Sequence, residues 1–202
     1  LSPDRVETTL GYAPVADMTF AWMVSEDTGD NYTVKVSDSI TGDPMDESDA
    51  PFAIVPPAEL PDIVINEIMY NSPEAGTDTL EFIELYNNGA EMVNLENWYF
   101  SQGVTFTFPN VDVAAGDYLV VAYDADIMLD AFGVVALQWT SGGLSNGGED
   151  IELRNAMDEV VDFVDYDDGG FWPSAPDGFG PSLALVDPSS DNEMAENWKP
   201  ET

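Results

Sequence analysis

The sequence predicts an all-β protein, and three observations carry that prediction. Its apolar runs are short and rich in Val, Ile, Phe and Tyr. Gly, Asn, Asp and Pro separate those runs at the spacing of strands and turns. A single stretch, DADIMLDAF from Asp124 to Phe132, reads as a short helix, so a sandwich or barrel is expected in place of alternating βαβ units.

The first expected strands are Met18–Val24 (MTFAWMV), Tyr32–Ser37 (YTVKVS) and Phe52–Val55. PPAELP, Pro56 to Pro61, then interrupts any ladder, because Pro offers no N–H and stiffens a linker. The domain boundary belongs there: a first unit over residues 1–56, a linker at 57–61 and a second unit over 62–202. Expected strands of the second unit are Ile63–Tyr70, Leu80–Asn87, Trp98–Phe100, Thr105–Phe108, Tyr118–Tyr123, Val134–Gln138, Asp150–Leu153, Val160–Asp165 and Ser182–Val186. Gly89, Gly116 and Asn146-Gly147 are turn residues able to take positive φ.

EFIELYNNG, Glu81 to Gly89, is apolar on both faces and so reads as interior to its sheet. Ile83 and Leu85 are expected in the core. Phe82 and Tyr86 then flank Glu84 on the outer face, and Asn87-Asn88-Gly89 ends the strand. Glu81 and Glu84 are read as structural acceptors of neighbouring N–H or hydroxyl groups at the sheet surface.

Charge is the extreme feature of the 202 residues: 40 Asp+Glu stand against 4 Lys+Arg, a net charge of −36. Only Arg5, Lys35, Arg154 and Lys199 could pair with carboxylates, so most of these need water, salt, metal or backbone N–H groups. Such a charge repels nucleic acid and anionic membranes. It also destabilises a compact state at low salt, which points to a saline or calcium-bearing medium; a very soluble secreted surface is equally consistent with it. With 44% hydrophobic and 11% aromatic residues the chain still builds a core. There is no cysteine, hence no disulfide or thiolate site, and no apolar run near the roughly 20 residues of a membrane span. The start at Leu1 reads as a processed product or an excised fragment, and an extracellular or cell-surface location is expected.

From Ile63 onward the ordered pieces resemble the lamin-tail domain in its bacterial secreted form. IVINEIMYNSP is similar to that family's first strand and EFIELYNNG to its second. LENWYF, FTFPNVDVAAGDYLVVAYD and LSNGGEDIELRNAMDEVVDFVDY follow in the family's order, and WPSAPDGFGPSLALVDPSSDN resembles the bacterial ending. The resemblance implies an immunoglobulin-like β-sandwich. Residues 1–55, with FAWMVSEDTGDNYTVKVSD and DESDAPFAIV, resemble the last strands of an Ig-like module of secreted bacterial proteins. The earlier strands of that module are missing, and some 55 residues fall short of the ~100 such a sandwich needs.

No catalytic constellation emerges, and the chain is read as non-enzymatic. GLSNG, Gly143 to Gly147, fits the nucleophile-elbow spacing, but with no His in the chain it reads as a turn. Calcium is the better chemical expectation, since it takes six to eight oxygens from irregular loops. DYDDGG places Asp165, Asp167 and Asp168 before a Gly turn, echoing the start of an EF-hand loop without its later Glu. DPSSDNE (Asp187 to Glu193) and the pair Asp124 and Asp126 are secondary candidates. Asn31-Tyr32-Thr33 is a formal glycosylation sequon. Trp98, Trp139, Trp172 and Trp198 could line a sugar platform, though Trp is first of all core filler.

The expected role is a structural module of a surface protein, adhesin or filament that self-associates through β-strand contacts. The rival is a carbohydrate-binding appendage of a secreted hydrolase, with a surface glycan as partner. The half-domain could be completed by strands outside this stretch of chain, by packing on the second unit, or by a strand from a neighbouring chain. Val6–Val15 (VETTLGYAPV) is the natural donor in the last case.

Overall fold

The computed structural model describes residues 8–13, 21, 28–55, 59–73, 76 and 78–202. The chain divides into two compact units, Leu1–Glu59 and Leu60–Thr202. The expected strand Met18–Val24 lies almost wholly outside the described residues. Of the segment Val6–Val15, residues 8–13 are described; they carry no regular structure and are exposed.

In the first unit, β1 (Gly29–Tyr32) pairs antiparallel with β4 (Phe52–Ile54), and β2 (Lys35–Ser37) with β3 (Met45–Glu47). The single strand expected over Tyr32–Ser37 is therefore two strands, because its halves pair with different partners. Tyr32 and Phe52 bring their rings to 6.2 Å across the first ribbon. Among the described residues of this unit no apolar side chain is buried, and Val36, Ile40, Met45 and Val55 are exposed.

The second unit is an all-β immunoglobulin-like sandwich. Its elements in order are β5 (Ile63–Met69), β6 (Phe82–Asn87), β7 (Val93–Asn94), β8 (Tyr99–Gln102), β9 (Phe106–Thr107), β10 (Asp112–Val113), β11 (Tyr118–Ala122), α1 (Ala125–Phe132), β12 (Ala136–Gln138), β13 (Glu149–Arg154), β14 (Val160–Tyr166), β15 (Ser182–Leu185) and β16 (Trp198–Glu201). One sheet has the order β12-β11-β6-β5-β15-β16 and the other β14-β13-β8-β9, with a short β10-β7 ribbon beside them. Ile65, Ile83, Leu85 and Val121 of the first sheet share one core with Phe100, Ile151, Leu153 and Val164 of the second.

Strand β6 is interior, between β5 and β11, and Ile83 and Leu85 are fully buried. Its end is more than a turn. Asn87 is buried; its Nδ2 donates to the carbonyls of Glu91 (2.8 Å) and Val113 (2.9 Å), and its Oδ1 accepts from the Gly89 N–H (3.0 Å). A buried amide with both ends satisfied ties the strand to its neighbours at little desolvation cost.

Two features depart from the expectations. α1 is capped as its sequence suggests, with Asp124 accepting from the Asp126 and Ile127 N–H groups and Gly133 closing it in the left-handed region. Yet it serves as a crossover, because β12 pairs parallel to β11, and a parallel pair cannot be joined by a hairpin. β16 was not expected from WKPE, since Pro200 cannot donate to a ladder. It forms because it lies at the sheet edge, paired only with β15.

Candidate functional site

The outer face of the six-stranded sheet carries the most unusual chemistry. Residues of β5 alternate regularly up to Ile65, which is in the core, and again from Ile68, also in the core. Asn66 is the extra residue of a bulge, since Ile65 pairs with Leu85 and Glu67 with Glu84. Two residues between two inward ones leave both Asn66 and Glu67 on the outer face. There Glu67 stands directly opposite Glu84, and like charges so placed destabilise a sheet.

Each carboxylate has one protein donor. The Ser182 hydroxyl bonds Glu67, and Asn66 Nδ2 donates to Glu84 Oε1 at 3.0 Å. Burial raises the pKa of both acids; the nearby Glu201 adds to this for Glu67, and Glu67 adds to it for Glu84. Asn66 is 9% exposed, and its Oδ1 is buried with no hydrogen-bond partner among the described residues. These residues line an open groove of about 340 Å³ with Tyr118, Ala184, Lys199 and Glu201. Tyr86 packs on Tyr118 with ring centroids 4.7 Å apart. The other end of the same face is apolar: Met69, Phe82, Val120 and Ala122 bury Met128 of α1. Phe82 therefore lies on the outer face as expected, but under the helix and not in solvent. Glu84 accepts a hydrogen bond as expected, from a side-chain amide that the bulge supplies.

Glu81 differs from the expectation in place. It is 5% exposed, and its Oε2 accepts from the Leu144 N–H at 2.9 Å in the GLSNG loop. Burial lifts its pKa to about 7, with Asp78 and Glu149 adding and the Leu144 bond opposing. Gly143 has a reason to be glycine, because a Cβ there would lie 3.2 Å from that oxygen. The loop is held as a turn: the Ser145 hydroxyl accepts from the Gly147 N–H (3.3 Å), its N–H bonds Glu149 Oε1 (2.6 Å), and its carbonyl accepts from the Tyr166 hydroxyl (2.8 Å).

Asp162, like Glu67, is an acid that sequence reasoning missed. It shares the inward face of β14 with the buried Val164 and Tyr166, and β14 is an edge strand. Its Oδ2 accepts from the Ile65 N–H of the other sheet (2.6 Å) and from Asn192 Nδ2 (2.7 Å). Burial lifts its pKa to about 6 against those bonds. Its position between Val161 and Phe163, breaking the apolar run of β14, was the one available signal.

The expected calcium residues lie at the end of β14 and in the turn that follows it. Asp165 is exposed on β14, opposite Asp150. Asp167 accepts from the Gly169 N–H at 2.8 Å, and Asp168 follows it in the exposed turn. Burial, then Asp177, Asp168 and Asp167, raise the pKa of the neighbouring Tyr70 to about 12, and the Tyr70 hydroxyl is buried with no hydrogen-bond partner among the described residues. Among the described residues no group of three or more acids converges as metal ligands do. The secondary candidates have backbone partners: Asp124 caps α1, Asp187 accepts from the Ser189 N–H, and Asp191 from the Glu193 N–H. Trp98, Trp139 and Trp198 are buried, and Trp172 packs against Trp198 at 5.9 Å, so these four form core, not a platform.

No helix among the described residues is long and apolar enough to cross a membrane. No curated protein matches the chain. The family model of the lamin tail domain matches residues 56–168, more than half of the chain and all strands from β5 to β14. With the two-sheet architecture it places the chain in that family: this protein belongs to the lamin tail domain family.

Proposed function

We propose that the chain is a non-enzymatic structural module of an extracellular or cell-surface protein, assembling through β-strand contacts made by its first unit. The lamin tail domain is an immunoglobulin-like structural fold, which supports the coarse reading. The finer reading rests on a contrast between the edges of the two units. In the second unit the edges are blunted: β14 by the inward Asp162, β16 by Lys199 and Pro200, and β9 and β12 by their shortness. In the first unit, two-stranded ribbons expose Val36, Met45 and Val55, and such ribbons are marginal alone. A strand donated by a neighbour would extend them, and a head-to-tail joint of that kind repeats into a filament.

Deleting residues 1–15 is expected to leave a folded second unit that no longer assembles, read by sedimentation and electron microscopy. The same polymer from the deleted chain, or a full chain that stays monomeric at high concentration in calcium-containing saline, would sink the proposal.

Calcium at Asp165, Asp167 and Asp168 belongs to this proposal, supported by the neighbouring Tyr70 hydroxyl, which has no hydrogen-bond partner among the described residues. A ligand held only by the folded state raises the melting temperature with its concentration. The expected rise is measured against sodium at equal ionic strength, and equal melting in the two buffers removes the site.

A further inference from the structure

We infer that the outer-face groove of the six-stranded sheet is a binding site for an arginine side chain carried by an extended segment of a partner protein. Glu67 and Glu84 oppose each other on two central strands, a like-charge placement that no folding requirement explains. Glu201 adds a third carboxylate to the same wall. Lys199 is the cation in that wall, and it is engaged by Glu201 at 2.5 Å. The chain has only 4 Lys+Arg in all, so a basic partner complements this face where its own residues do not.

Asn66 supplies the independent observation. It is nine-tenths buried in the groove wall, donates to Glu84, and leaves Oδ1 without a donor among the described residues. A buried acceptor left unmade is costly, and an incoming N–H reaches this one once the Asn66 amide turns toward the groove, because Oδ1 itself has no exposed surface. The bulge that sets Asn66 there has no other evident use in the ladder.

The groove's shape selects among cations. Each of its carboxylates already has its own partner: Glu67 the Ser182 hydroxyl, Glu84 the Asn66 Nδ2 and Glu201 the Lys199 ammonium. A guanidinium offers five N–H donors in a flat fork, can bridge separated carboxylates, and stacks on an aromatic face. The half-exposed Tyr118, packed on Tyr86, provides that face. One wall of the groove, Ala184 to Val186 with Lys199 and Glu201, lies beyond the residues that the family model matches, so this chain's own C-terminal strands complete the site.

The test is an amide NMR titration of the full chain, at physiological salt, with a capped Gly-Arg-Ser-Arg-Gly peptide. Saturable shifts confined to Asn66, Glu67, Glu84, Tyr118 and Ala184 are expected. The Glu67→Gln/Glu84→Gln double variant keeps both hydrogen-bond acceptors and is expected to bind at least tenfold more weakly. It should also melt higher than the parent, because the opposed charges are gone, which separates lost binding from lost folding. The control Glu91→Gln/Glu96→Gln removes the same charge at exposed positions elsewhere and should bind as the parent does. Equal weakening in both variants, or shifts spread over the acidic surface, would overturn the site as mere charge attraction. Groove shifts produced by calcium alone, or by concentrating the protein alone, would overturn the arginine assignment in favour of a metal or a second copy.

Discussion

Asp162→Ala is expected to destabilise the second unit by on the order of 2–4 kcal/mol at pH 5, and by about 1–2 kcal/mol less at pH 8. At pH 5 the substitution strands two buried donors, the Ile65 N–H and Asn192 Nδ2, which this side chain serves. Each unmade buried hydrogen bond costs about 1–3 kcal/mol. At pH 8 the parent itself holds an ionised carboxylate where burial disfavours charge, so alanine relieves a penalty that offsets part of the loss. The full relief is about 3 kcal/mol for a pKa raised from 3.8 to about 6, and roughly half of it already applies at pH 5, so the two pH values differ by about 1.4 kcal/mol. Urea unfolding at the two pH values measures the difference. An equal loss at both would mean that Asp162 titrates in its ordinary range. No loss at pH 5 would mean that Ile65 finds another acceptor.

The intact protein is expected to gain stability as pH falls from about 8 to about 5. Glu81 and Asp162 both have folded-state pKa values above their free ones, about 7 against 4.5 and about 6 against 3.8. The folded state therefore binds more protons than the unfolded state across this window. The stabilisation is complete below the free values and is lost as pH rises through the folded ones. Each group contributes on the order of 3 kcal/mol between those limits. Relief of self-repulsion among the 40 acids acts in the same direction and is screened by salt, whereas the buried groups are screened little. Thermal melting over pH 5–8 in high salt therefore reports the buried acids, Glu81 and Asp162 together with Glu67 and Glu84, whose pKa values burial raises in the same direction. Glu81→Gln, which can still accept from the Leu144 N–H, should flatten the upper part of the profile. An unchanged slope in that variant would remove Glu81 as a source.

Both acids and the outer-face groove show the same compromise. Glu67 and Glu84 are opposed on one face, and Asp162 sits inward on an edge strand. The inward carboxylate has a structural use, since a charge on the buried side of an edge discourages pairing with another chain. The opposed glutamates have no such use, which is why they mark a site and Asp162 does not.

The sequence by itself determined the all-β class, the interior placement of β6 and the identity of its core residues. Those features depend on local periodicity: Ile83 and Leu85 alternate with period two, and Gly133 and Asp124 cap a helix through neighbours a few residues away. It also determined the family, because the order of the strand and turn segments is written along the chain. Only the tertiary structure decided which acids matter. Glu67 meets Glu84 because a one-residue bulge at Asn66 shifts the register, and a shift of one residue decides which face a side chain takes. Asp162 finds Ile65 across 97 positions, and Ser182 finds Glu67 across 115. The parallel pairing of β11 with β12 needs the space that α1 fills over Met69, Phe82 and Val120. Among 40 acids the sequence offers no local mark for these few, because desolvation and opposing charge arise only when distant segments are packed together.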